Sequence, residues 1–284
     1  MASVPRPPGP EGHPLLGSLS ELKKSPTQLL LDMAAYGELS YTRFVNARMY
    51  FVNSAELIEE VLLGRHRECI KDWGTRELIP LVGRGLLTNE GDDWRKQRKL
   101  AAPPLQPKRI ASYAQTMVEC TERLCDDLRD DEVRDVHHDM TRVTLEIVGR
   151  TLLGFDPTHE ADRIAHVLDV AMAHMDKQLR TAVGMVPLKV PTLTRVRFRK
   201  AVAELDTIVY RIIARCRARD ARSDGEDHLL ARLVHMRDEE GRGMSDKQLR
   251  DEAVTMLLAG HETTALLLSY AVHNLSEHPE VAKR

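Results

Sequence analysis

Cysteine, aromatic side chains, net charge and long apolar runs are all scarce in this 284-residue chain, and each scarcity excludes a class of protein. Four cysteines, at positions 69, 120, 125 and 216, are too few and too scattered for a disulfide scaffold. They are expected to be reduced thiols of a cytoplasmic protein. Aromatics make up 4% of residues, which disfavours a base-stacking platform. With 41 basic and 43 acidic side chains the formal net charge is −2, too small a field to attract nucleic acid or an anionic membrane. The opening MASVPRPPGPEGHPLLG has prolines where a secretory signal needs an apolar run. Residues 253–272 come nearest to a membrane span, but His261, Glu262, Thr263 and Thr264 lie at the midpoint. An acid at a bilayer centre costs about 2.5–3.5 kcal/mol, so a buried helix of a soluble protein is expected instead.

What is present is a foldable chain, 42% hydrophobic and 30% charged, which can bury a sizeable core. Residues 1–20 form a Pro/Gly-rich leading segment, expected to run extended over a surface. Ser25-Pro26 reads as an N-cap with proline at the first helical position, opening a helix to about Tyr36. Residues 40–52 are rich in β-branched and aromatic residues around Asn46-Ala47 and predict a β-hairpin. Ser54 caps a helix running to about Gly64, and residues 69–93, with four glycines, read as a long loop. Helices follow over 94–100, 107–128, 138–153, 162–179, 195–221, 228–237 and 245–276. The breaks fall at Pro103-Pro104, 154–157, 187–191 and 239–243. No repeat and no dividing linker is evident. The expected fold is therefore mainly α, a single domain over 1–284 with a small β-hairpin near its start.

The final helix carries the sharpest signal. Ser245 and Gln248 make a capping-box pattern, and about 46 Å of helix would cross a whole domain. Residues 265–272 are apolar nearly all round, which predicts passage through a core. In the middle, Ala259-Gly260-His261-Glu262-Thr263-Thr264 breaks three local rules: a mid-helix glycine, paired β-branched threonines and an acid on a buried helix. Such clusters are often functional. Gly260 would let something flat and large approach the backbone. A threonine hydroxyl could bond to the carbonyl four residues earlier and open a groove, and Glu262 beside Thr263 would then move protons into it. The plainer alternative is a close helix–helix contact with Glu262 in an ion pair. A zinc-protease site is disfavoured, because the fifth position of the H-E-x-x-H pattern begun by His261-Glu262 is Ala265 rather than histidine.

A second constellation is Trp94-Arg95-Lys96-Gln97-Arg98-Lys99. Trp94 and Arg98, one turn apart, would set an indole N–H and a guanidinium side by side as a clamp for a carboxylate. Arg95, Lys96 and Lys99 add a basic patch. The plainer alternative here is an amphipathic helix with a buried tryptophan. Cys120 and Cys125 read as core thiols, and His137, His138, His166 and His174 as surface or capping residues. The cationic run 195–222 reads as a solvated helix face.

Together these segments resemble a cytochrome P450, a haem-thiolate monooxygenase. The resemblance takes in Pro7-Pro8-Gly9-Pro10, the 40–52 hairpin, Leu86-Leu87-Thr88 through Trp94-x-x-x-Arg98, and Ala259-Gly260-His261-Glu262-Thr263-Thr264. It implies that haem is the cofactor, that Trp94 and Arg98 hold a haem propionate, and that Ala259 and Gly260 flank the distal face. It also implies that Glu262 and Thr263 are catalytic, delivering protons for dioxygen activation, and that the 69–93 segment roofs the substrate pocket. The implied partners are O2, a small hydrophobic substrate and an electron-donor protein of ferredoxin, flavodoxin or reductase type. Arg95, Lys96 and Lys99 would help dock that donor. One departure stands out. The family's E-x-x-R helix and cysteine-bearing haem loop belong beyond the long helix, and the sequence stops at Arg284. The expectation is a truncated N-terminal portion with no axial cysteine and no metal ligand, inactive alone. Its rival is a catalytically dead remnant, or a helical binding protein without haem.

Overall fold

A computed structural model describes residues 5–154, 161–180, 192–218, 228–238 and 240–284. The expected breaks at 155–157 and 187–191, the end of the 195–221 helix and Glu239 lie outside the described residues. The contacts divide the chain into two compact units, residues 1–70 and 71–284.

In the first unit, α1 (Leu19–Lys24) and α2 (Pro26–Ala34) precede an antiparallel pair, β1 (Leu39–Phe44) and β2 (Ala47–Val52). Ser25 caps α2 as expected, its Oγ accepting from the Gln28 N–H at 3.2 Å. The hairpin register runs from Leu39 opposite Val52 to Phe44 opposite Ala47. The turn therefore falls on Val45-Asn46, one residue earlier than expected, with Val45 at φ 55. The leading segment packs on this hairpin: the Tyr41 N–H donates to Pro8 O at 2.9 Å, and the Ser18 N–H donates to Arg43 O at 2.8 Å. Ser54 caps α3 (Ala55–Glu59), whose last turn widens to π geometry over Glu60–Gly64.

The second unit is helical. The segment expected to be a loop contains two short helices, α4 (Trp73–Glu77) and α5 (Ile79–Val82). Asp72 caps α4 through the Thr75 N–H, and α5 buries Leu81 and Val82 completely. A glycine-rich composition hid these single turns, because each rests on a local cap and a few buried contacts rather than on periodicity. Next come α6 (Gly91–Ala101), α7 (Pro107–Asp126) and α8 (Val136–Val148), the last continuing as a π-type turn over Gly149–Leu153. Then follow α9 (Ala161–Arg180), α10 (Leu193–Ala218), α11 (Leu229–His235), α12 (Asp246–Glu277) and α13 (Pro279–Ala282). On α10, Phe198, Ala201, Leu205, Ile208, Val209, Ile212 and Cys216 are buried at helical spacing, which turns one stripe into the core. That stripe meets α9, α11 and α12, while α12 packs most extensively on α8.

The capping box at Ser245 and Gln248 is present, so α12 starts as the sequence indicates. Its two halves then differ. Leu249 to Thr255 are buried one after another, including Arg250, Asp251 and Glu252. Beyond Ala265 the expectation of a core fails: Leu267 is 68% exposed and Tyr270 65%, with Leu266, Leu268, Val272 and Leu275 also open. An all-round apolar pattern says that a helix needs cover and not which element supplies it; α8 reaches this half at His137, whose Nδ1 lies 3.4 Å from Ser269 Oγ, and the apolar side chains named stay open. Among the described residues, no helix is long and apolar enough to cross a membrane.

Three smaller expectations are also corrected. His174 is buried and stacks on Phe198 with ring centroids 4.6 Å apart. Cys125 is exposed while Cys120 is buried, and Arg195 is buried rather than solvated. Each sits on an amphipathic helix where a shift of one residue, about 100° of arc, moves a side chain across the boundary.

Between α5 and α6, Gly83 (φ 68) and Gly85 bring the backbone hard against α12. A Cβ on Gly83 would fall 2.0 Å from Asp251 Oδ1, and one on Gly85 would fall 2.4 Å from Thr255 Oγ1 and 2.8 Å from the Asp251 carbonyl oxygen. Gly85→Ala is expected to lower stability by about 1–3 kcal/mol, measured by denaturant titration, because backbone as well as a hydroxyl must give way.

Candidate functional site

Two elements carry the residues singled out by sequence. On α6, Glu90 precedes the first turn and Asp92 and Asp93 complement the helix N-terminus, so the helix begins three residues before Trp94. Trp94 is half-buried and Arg98 exposed. One helical turn sets the Arg98 guanidinium over the indole, 5.4 Å from the ring centroid. The two side chains meet as their one-turn spacing predicts, with the guanidinium over the ring. Arg98 has no ion-pair partner among the described residues, which leaves its donors available to an anion. The neighbouring patch is weaker than expected, because Arg95 is paired with Asp92 at 2.5 Å.

On α12, the helix continues unbroken through Ala259–Thr264. Both threonine hydroxyls bond back to the carbonyls four residues earlier, Thr263 to Ala259 at 2.7 Å and Thr264 to Gly260 at 2.9 Å. The expected back-bonding occurs without interrupting the helix. Ala259 and Thr263, one turn apart, are exposed, and Glu262 is half-buried with no ion-pair partner among the described residues. His261 turns inward, donating from Nδ1 to Leu257 O at 3.1 Å. Burial pushes its imidazole below the usual value, against the pull of Leu257 O and the Glu262 and Asp169 carboxylates. A Cβ on Gly260 would stand 3.1 Å from Val148 Cγ2 and 3.9 Å from Leu152 Cδ1, so its bare face serves the packing of α12 on α8.

The sequence reading missed the residues that tie these two elements together. The 83–90 loop is held from both sides. The Arg84 N–H donates to Asp251 Oδ2 on α12 at 2.9 Å, and the Arg84 carbonyl accepts from Gln97 Nε2 on α6 at 2.9 Å. Asn89 also donates to Gln97 Oε1 at 2.7 Å. The Leu86 N–H donates to Glu252 Oε2 at 3.2 Å, while Lys71 Nζ donates to the Leu86 carbonyl at 2.8 Å. Asp251, 2% exposed, is further partnered by Lys247 and Arg250. Glu252 is 0% exposed and its Oε1 has no hydrogen-bond partner among the described residues. Burial drives its carboxyl up to about 7; the Leu86 N–H and Lys71 pull it down, and Asp251 pushes it up further. Burial likewise lowers the Lys71 ammonium, against the pull of Glu90 and Glu252. The missed signal was an Asp-Glu pair at positions that helical spacing would bury.

Comparison with known proteins bears on what such an arrangement belongs to. The family model described as cytochrome P450 matches residues 7–284, and the chain belongs to that family. Among its relatives, cyclooctatin synthase of Streptomyces melanosporofaciens is 31% identical over 95% of this chain and 59% of its own length. Cyclooctat-9-en-7-ol 5-monooxygenase of the same organism is 31% identical over 97% of this chain and 59% of its own. A bifunctional cytochrome P450/NADPH–P450 reductase of Bacillus subtilis is 29% identical over 98% of this chain and 27% of its own. The chain thus spans about three-fifths of the length of the two Streptomyces relatives.

Two outcomes are expected from this geometry. Gly260→Ala should couple to Val148→Ala by about 1 kcal/mol in a double-mutant cycle, the added methyl being better tolerated when Val148 is shortened; additive effects would place the Gly260 face elsewhere. Glu252→Gln should be more stable than the parent at alkaline pH. A carboxyl raised from 4.5 to about 7 in the folded state favours folding when protonated, and that advantage is lost as pH rises through 7. The gap should therefore widen between about pH 4.5 and 7, level off above, and reach up to about 3 kcal/mol in parallel thermal melts.

Proposed function

We propose that this chain supplies the distal helix and the propionate grip of a haem-dependent monooxygenase that inserts one oxygen atom of O2 into a small hydrophobic substrate. The observation that carries it is the Trp94–Arg98 pair: an exposed guanidinium with free donors, oriented by an indole one turn away, in a chain of the cytochrome P450 family. Such a pair fits a carboxylate on a flat, partly apolar molecule. Haem, when bound, would supply the electron-transfer and dioxygen chemistry. In this assignment Trp94 and Arg98 hold a propionate, and Ala259 and Thr263 present a small, open face to the ring. Gly260 acts behind them by letting α12 close on α8. Thr263 Oγ1 holds a proton shared with the Ala259 carbonyl, and half-buried Glu262 beside it can replace that proton from solvent. A hydrophobic substrate is in keeping with cyclooctat-9-en-7-ol, the compound in one relative's name. The reductase portion named in another supports an electron-donor protein as partner, with exposed Lys96 among the cations for docking it.

The fit to the iron itself is different. Cys120 is buried beside Arg123 and Glu146, and burial pushes its thiol up, away from the thiolate form. Cys216 is buried near His228, and Cys69 and Cys125 are exposed, Cys69 in the other unit. We assign the iron thiolate to none of the four, and we infer that this chain by itself does not catalyse. A second reading, an interaction protein without haem, is favoured by the open apolar side chains of α12 from Leu266 to Leu275.

Haemin titration followed by absorbance separates the two. Arg98→Ala should weaken haemin binding by about tenfold or more, the worth of a charge-assisted hydrogen bond. No uptake by the parent chain, or equal uptake by the variant, would remove the grip. A thiolate-type Soret shift with carbon monoxide in the reduced chain would show that one of the four cysteines does ligate iron.

A further inference from the structure

We propose that Glu252, with Asp251 beside it, is a positioning residue that latches the 83–90 loop onto α12 and thereby holds α6, with its Trp94–Arg98 pair, in register with the Ala259–Thr263 face. The latch stands on geometry alone; that it positions a propionate grip rests on the function proposed above.

The connection is continuous. Asp251 accepts from the Arg84 N–H, and the carbonyl of that same residue accepts from Gln97 on α6, so one loop residue spans the two helices. Two positions on, Glu252 accepts from the Leu86 N–H, and Lys71 clamps the Leu86 carbonyl from the opposite side. Gly83 and Gly85 bring the loop close enough for carboxylates to reach its amides. Thr88 Oγ1 then ties the turn shut on the Gly83 carbonyl at 2.6 Å. Within this cluster Asp251 is partnered by Lys247, Arg250 and the loop. Glu252 differs, since one of its oxygens is sealed from solvent with no hydrogen-bond partner among the described residues.

An unpaired buried oxygen is better tolerated on a neutral carboxylic acid than on a carboxylate. The charged groups that face Glu252 are Lys71, ahead of α4, and Asp251 on α12; Glu90 faces Lys71 in turn, and Arg84 presents only its backbone. One cation shared between two carboxylates does not neutralise both. Ionisation of Glu252 therefore loosens the loop, and the raised carboxyl value places that transition near neutral pH.

Hydrogen–deuterium exchange on the full chain, corrected for intrinsic rates, reads the latch directly. Exchange of the 84–88 amides should rise about tenfold between about pH 6 and pH 8.5 in the parent. It should stay flat in Glu252→Gln, which keeps the acceptor and cannot ionise. Glu252→Leu should exchange fast at both ends of the range while α8 and α9 stay protected. Loop protection in Glu252→Leu equal to the parent, or a Glu252→Gln profile that follows the parent's, overturns the latch. Should Glu252→Leu lose protection in α8 and α9 as well, the Gln comparison decides alone. Haemin titration of the same variants separates the two layers. If Glu252→Leu frees the loop but neither it nor Arg98→Ala changes haemin affinity, the grip fails and the latch stands. If Arg98→Ala weakens haemin while the loop of Glu252→Leu stays protected, the latch fails and the grip stands.

Discussion

Two adjacent carboxyl groups on α12 reach out to backbone amides of the 83–90 loop, and much of the second unit is arranged around that contact. Burying acids is costly unless their oxygens find donors. Here the donors are main-chain N–H groups that the loop could not otherwise satisfy, so the two needs are met together at Arg84 and Leu86. Glycine at 83 and 85 is a requirement of the same contact, because a methyl group at either would collide with Asp251 or Thr255. Through Gln97 the contact extends to α6, which is how residues more than 150 positions apart in sequence come to act on one element.

The long helix shows how one element serves two environments. Its first half is enclosed by α8, α10 and the loop, and carries Arg250, Asp251 and Glu252 only because each finds partners there. Its second half is as apolar as a core helix and stands open. The Ala259–Thr264 segment lies at the change between them. Gly260 faces Val148 and His261 is buried, bonded back to the Leu257 carbonyl of its own helix, whereas Ala259 and Thr263 look outward. In a cytochrome P450 family chain that spans about three-fifths of its Streptomyces relatives, this division separates residues packed within the fold from those left exposed.

Much was legible in the sequence because it depends on near neighbours. Ser25, Ser54 and Ser245 cap the helices they precede, each through an oxygen reaching an amide three residues on. The hairpin and the spans of α7 to α12 follow from local periodicity to within a few residues. Trp94 and Arg98 stand together because one helical turn puts them there. What escaped were side chains whose roles are set across the fold. The seat that Gly260 offers Val148, the hidden turns of α4 and α5, the inward turn of His174 and the coupling of Gln97 to Arg84 were all invisible.

By itself, then, the sequence determined where helices start, which faces are apolar, and which residues share a turn, since these are properties of backbone geometry over four or five residues. It also carried enough of two motifs to mark the family. Only the tertiary structure decided which apolar faces are covered, which glycine admits a neighbour, and which buried acid keeps an unpaired oxygen. Those depend on what lies across the gap, and no local pattern encodes the distance between elements brought together by packing.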